Sequence, residues 1–150
     1  MDEVLRDLQK ELERKNDPAF LEVVSMNQLY DNVYESKTPL IEGLLYEGTY
    51  LFVGAPKLGK SFMMAQLAYH VGTGTPLWGL PVKKSKVLYL ALEDTYKRLQ
   101  DRLYRMFGTE GTDNVFFSVS AGKLGEGLDE QLTQFMKEQP DTKLLILCKK

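Results

Sequence analysis

YLFVGAPKLGKSFMMAQLAYHVG, residues 50–72, decides how the chain is to be read. Tyr50, Leu51, Phe52 and Val53 make a compact run of β-formers that breaks at Gly54, and 61–71 is a nearly continuous apolar run closed by Gly72. The order predicted is strand, glycine loop, helix. Between the two runs, Gly54-Ala55-Pro56-Lys57-Leu58-Gly59-Lys60-Ser61 fits GxxxxGK[ST]. Glycines let a backbone turn tightly around an anion, so that several N–H groups point inward while the helix start adds its partial positive charge. Lys60 is then placed to reach the β and γ phosphates of a nucleotide, and the Ser61 hydroxyl to be a ligand of Mg²⁺. At ordinary residue frequencies a chain of this length yields on the order of 0.005 accidental matches, so a mere glycine turn beside a surface lysine is the weaker reading.

Downstream the rhythm of strand and helix repeats. Residues 87–92, VLYLAL, read as a buried strand, and Asp94 is placed to cap a helix on which Tyr96, Leu99, Leu103 and Met106 share a face, ended by Gly108. A third strand is expected over 115–119. Leu128, Leu132, Phe135 and Met136 mark another amphipathic helix, Pro140 and Asp141 turn the chain, and 144–147 make a fourth strand. Such alternation requires parallel strands joined by helical crossovers, hence an α/β layered fold with helices on both faces of the sheet.

The N-terminal part differs. Met1, Val4, Leu5, Leu8 and Leu12 recur at helical spacing until Asn16, Asp17 and Pro18 end the pattern, and Ser25-Met26-Asn27-Gln28 has the form of a capping box. The first helix suits either a surface helix laid on the domain or a docking arm for a neighbouring subunit. We therefore expect a helical arm over 1–38 and a nucleotide-binding core over 39–150.

Composition narrows the classes. A formal charge of -2 gives no global pull toward nucleic acid or anionic membrane, although seven Lys or Arg against three acids between Val82 and Arg105 make one basic stretch. The single cysteine, Cys148, excludes an internal disulfide. No stretch approaches the ~18 apolar residues of a membrane span, and the charged N-terminus does not read as a signal peptide, so a cytoplasmic setting is the default.

Several side chains are candidates for chemistry. Glu93 and Asp94 close the VLYLAL strand at the carboxyl edge of a parallel sheet, where ligands bind in open α/β folds. An acid there can orient the water that attacks a γ-phosphate. Glu93 is expected in that role, whereas helix capping accounts for Asp94. Arg98, Arg102 and Arg105 form one stripe opposite the apolar face, which reads as solvated, with Arg102 as the exception. His70 is expected to pack or cap, and Trp78 to anchor its loop.

Taken together, GAPKLGKS, GTPLWGLPVKKSKVLYLALED and the Arg102-Leu103 pair after the acids resemble the RecA-like AAA ATPases grouped with RepA-type plasmid replicative helicases of bacterial mobile elements. The resemblance covers about 39–147. It implies an α/β RecA-like P-loop NTPase fold, with ATP and Mg²⁺ as cofactors. Glu93 takes the place of the catalytic glutamate, Lys60 that of the phosphate-contacting lysine, and Arg102 lies near the nucleotide. The nucleotide site it implies runs through Gly54, Ala55, Pro56, Lys57, Leu58, Gly59, Lys60, Ser61 and Phe62. Such proteins work as hexameric homo-oligomers that move along single-stranded DNA during replication, without a membrane.

One position departs from that pattern. In the family the strand corresponding to 144–147 ends in an aspartate that holds Mg²⁺ through water, and here the place is taken by Cys148. A neutral thiol is a poor ligand for a hard cation. From this and from the family's further strands, the chain is expected to be the N-terminal portion of a longer ATPase, impaired in hydrolysis as it stands. Two other readings stay open. One is a small P-loop kinase acting on a metabolite, which predicts an arginine-rich lid late in the chain, yet residues 120–150 contain no arginine. The other is a catalytically inactive nucleotide-binding chain.

Overall fold

The computed structural model describes residues 2–34 and 37–149, and the chain falls into two compact units, Met1–Ser36 and Lys37–Lys150. In the first unit, helix α1 spans Asp2–Lys15 and helix α2 spans Met26–Asp31. Both halves of the capping box form: Ser25 Oγ accepts from the Gln28 N–H at 3.2 Å, and Gln28 Oε1 accepts from the Ser25 N–H at 2.8 Å. Met1, the first residue of the expected apolar stripe, lies outside the described residues.

The second unit carries helix α3 (Lys60–Thr73), strand β1 (Lys86–Ala91), helix α4 (Tyr96–Phe107), strand β2 (Val115–Ser118), helix α5 (Leu128–Glu138) and strand β3 (Thr142–Cys148). Its sheet is parallel throughout in the order β2-β1-β3. Val87 lies opposite both Val115 and Leu144, and Ala91 lies opposite Cys148. Because side chains alternate along a strand, β1 feeds two layers at once. Val87, Tyr89 and Ala91 pack with Ala68 and Val71 of α3, Leu99 of α4 and Ile146 of β3. Leu88 and Leu90 face the other way, against Leu128, Leu132 and Phe135 of α5. The predicted α/β architecture with helices on both faces is the one observed.

Two local expectations are corrected. Residues 50–53 form no strand: none of the described strands pairs with them, and Leu51 and Val53 are 87% and 73% exposed. Strand propensity is a preference for a pleated, half-buried surface, and without a partner edge it creates no ladder. Gly72 does not close α3, which runs on to Thr73 and is capped by Gly74 at φ 73, whose N–H donates to His70 O at 2.8 Å. Gly72 is instead a point of close approach, since a Cβ there would lie 2.5 Å from Val115 Cγ2. That approach seats α3 on the edge strand β2.

Candidate functional site

The loop before α3 is built from backbone. Lys57 sits at φ 65 and Gly59 at φ 80, two left-handed residues separated by Leu58. For Lys57, which has a Cβ, this conformation is strained, as is common where a loop is shaped for a ligand. Helix α3 begins directly after Gly59, which has no side chain to cap it. The first helical bond runs from the Met63 N–H to Gly59 O at 3.0 Å, so the N–H groups of Lys60, Ser61 and Phe62 have no acceptor within the helix. An uncapped helix start behind a left-handed loop is an anion cradle. The Lys60 ammonium donates back to the loop, to Gly54 O at 2.6 Å and to Ala55 O at 2.7 Å. Two neutral carbonyls are weaker partners for an ammonium than a phosphate is. Ser61 is half-buried and Phe62 exposed on the same first turn, while Gly54, Ala55, Pro56 and Leu58 are exposed.

At the carboxyl edge of the sheet, the Leu92 N–H donates to Cys148 O at 3.2 Å, which holds the ends of β1 and β3 together. Glu93 follows in a turn. Cys148 Sγ lies 3.1 Å from the Tyr89 hydroxyl. Burial above all, and then that hydrogen bond, push the phenol well above its usual acidity range, so Tyr89 is a neutral core residue.

Asp94 is not the cap of α4. Thr95 holds that position, extended at φ -120 and ψ 154, and its Oγ1 accepts from the Arg98 N–H at 3.2 Å. The Asp94 carboxylate is only 11% exposed and turns instead to Arg102 Nη2 at 2.8 Å and Arg98 Nε at 3.5 Å. Long helical side chains run back toward the helix start, and so Arg102 reaches the strand ends from two turns down α4. Its guanidinium lies over the Phe62 ring, 5.5 Å from the centroid. Arg102 is thereby drawn out of the arginine stripe, at 15% exposure, while Arg98 and Arg105 remain in solvent as expected.

The remaining candidates are structural. His70 Nδ1 lies 3.1 Å from Thr75 O and 3.0 Å from Thr75 Oγ1, which fastens the turn after α3. Trp78 does not anchor its loop. Leu77 does, buried to 2% exposure, because Leu77 and Leu80 pair across a two-residue turn with positive φ at Trp78 and Gly79, which leaves the indole 59% exposed. A groove of about 390 Å³ opens between α3, α4 and β2, lined by aromatic residues such as Tyr69, Tyr104 and Phe107, but by none of residues 54–62. The glycine loop, a candidate for binding through its backbone, therefore lies outside this groove. Among the described residues, no cluster of three His, Cys, Asp or Glu could hold a metal, and no helix is long and apolar enough to cross a membrane.

Comparison with known proteins agrees with this geometry at the level of family. A family model described as AAA domain matches residues 4–147, nearly the whole chain. Neither the curated proteins nor the solved structures contain a significant match. The parallel sheet, the glycine loop opening α3 and that match together place the chain in the AAA domain family of P-loop ATPases, to which it belongs.

Proposed function

We propose that the core over 39–150 binds ATP through residues 54–62, preceded by a helical arm over 1–38. The observation that carries this reading is the uncapped start of α3 behind the left-handed loop, with the Lys60 ammonium bonded to the loop carbonyls of Gly54 and Ala55. In it the N–H groups of Lys60, Ser61 and Phe62 hold phosphate oxygens, and Lys60 exchanges two carbonyls for the β and γ phosphates. The Ser61 hydroxyl suits a hard cation, so Mg²⁺ belongs beside it. Bound Mg²⁺ would supply charge neutralisation at the phosphates. Glu93, just past the end of β1, is the general base that orients water, and Arg102 faces the nucleotide from across Phe62.

The finer assignment, a motor acting on single-stranded DNA as a hexamer in replication of a mobile element, rests on the resemblance of GAPKLGKS, LALED and Arg102-Leu103 to RepA-type helicases. A second reading has its own support: Cys148 stands where that resemblance places the acid that holds the metal, which favours nucleotide binding with little turnover.

Competition against a fluorescent ATP analogue tests the proposal. ATP and ADP should displace it in the presence of Mg²⁺, and AMP, which lacks the phosphates the loop reads, should not. Equal displacement by AMP refutes the loop assignment. Turnover that rises on adding single-stranded DNA supports the motor reading, phosphoryl transfer to a small metabolite supports a kinase, and binding without turnover supports the inactive one.

A further inference from the structure

The Asp94 carboxylate is nearly buried and fully committed. Its Oδ1 accepts from the Thr95 N–H at 3.1 Å and lies 3.5 Å from Arg98 Nε, and its Oδ2 lies 2.8 Å from Arg102 Nη2. The Asp94 N–H is itself fixed by Ala91 O at 3.0 Å, at the end of the central strand. Arg102 is held on its other side by the ring of Phe62, which belongs to the first turn of α3 and follows the candidate magnesium ligand Ser61. Among the described residues, Asp94 is the only acid in ion-pair range of Arg102. The exposed Arg98 contact adds little, because solvent screens it.

We infer that Asp94 is a positioning residue for nucleotide binding, acting through Arg102, which it holds against Phe62 at the mouth of the phosphate loop. Two opposed effects distinguish this role from a merely structural one. A carboxylate near an anion site repels the anion, so Asp94 by itself disfavours a polyphosphate. Through Arg102 it favours one, since a guanidinium fixed in place loses less freedom when its remaining donors meet a phosphate. Only the second effect depends on Arg102. Neutralising Asp94 should therefore weaken binding only when Arg102 is present.

This inference rests on the nucleotide-binding reading, and the experiment separates the two. Affinity for a fluorescent ATP analogue is measured for the full chain, Lys60→Ala, Asp94→Asn, Arg102→Gln and the Asp94→Asn/Arg102→Gln double variant, with folding followed by circular dichroism. Asp94→Asn should weaken binding about tenfold when Arg102 is present, the scale of one charge-assisted hydrogen bond, and should leave it unchanged or tighten it in the Arg102→Gln background. Weakening by the same factor in both backgrounds, or no weakening beside Arg102, overturns the inference. Equal binding by the native chain and Lys60→Ala overturns the nucleotide reading beneath it. If Asp94→Asn does not fold, Asp94→Glu makes the same comparison, with binding weakened beside Arg102 and unaffected in the Arg102→Gln background, where a neutral amide replaces the guanidinium.

Discussion

Replacing Gly72 by alanine sets two effects of known size against each other. Gly72 is the penultimate residue of α3, where alanine is favoured over glycine by at most about 1 kcal/mol. The new Cβ, however, lies 2.5 Å from Val115 Cγ2 and 3.3 Å from Thr112 Cγ2. Both neighbours are β-branched, so they have few rotamers into which to retreat. Asn114 Nδ2 donates to Gly72 O at 2.9 Å, which further ties this turn of the helix to the start of β2. Overpacking of this kind costs about 1–3 kcal/mol, so the clash outweighs the propensity gain and leaves about 1 kcal/mol of net destabilisation. Denaturant unfolding followed by far-ultraviolet circular dichroism reads the change as a lower midpoint at unaltered slope. Truncating Val115 to alanine removes the obstructing methyl and should turn Gly72→Ala from destabilising to stabilising. A Gly72→Ala chain more stable than the native one would show that α3 does not touch β2 at this point, and the packing account would fail.

Three further outcomes are expected. Tyr89 has its folded-state acidity shifted above the ordinary phenol value of 10.0, so the folded state keeps a proton that the unfolded chain releases above that pH. Its contribution to stability is thus intact below pH 10 and falls as pH rises, and Tyr89→Phe should show a shallower alkaline loss in unfolding titrations than the native chain. Thr95→Ala removes the cap of α4 and should cost about 1 kcal/mol, while Arg105→Ala, at an exposed position, should change stability by less than about 0.5 kcal/mol in the same denaturant assay. Lys57→Gly relieves a left-handed conformation and should stabilise the chain by about 1 kcal/mol, and an unchanged or lower midpoint would contradict the loop geometry.

Much of the layered core is visible in the order of residues, because alternation of side chains along VLYLAL must bury two faces and a parallel neighbour on each edge follows from helical crossovers. The turn of the glycine loop into α3 is legible too, since the motif specifies backbone conformation and a helix starts directly after Gly59. Residues 50–53 show the limit: their β-formers describe a preference, and pairing depends on an edge that local sequence does not reveal. Gly72 misleads in a related way, because a glycine required by packing looks the same as one required by a cap. Asp94 misleads because the cap position beside it is a stronger local signal than its pairing. Its neighbour Thr95 satisfies the cap with its own hydroxyl, and only the return of Arg102 along two turns of α4 shows where the carboxylate goes. A signal for it was present in the spacing of Asp94, Arg98 and Arg102, four residues apart each time, which places all three on one side of the helix start.

The central claim is that the loop opening α3 binds the phosphates of ATP, and the measurement that tests it most directly is the ATP affinity of the native chain beside Lys60→Ala. Lys60 Nζ donates to Gly54 O and Ala55 O, and the proposed exchange of those carbonyls for phosphate would be a charge-assisted contact of about 1.5–3 kcal/mol. Isothermal calorimetry with Mg²⁺ and ATP should therefore find binding by the native chain and a loss of about tenfold or more in the variant, with both chains equally folded. Equal affinities in the two, or no binding by a folded native chain, would contradict the account.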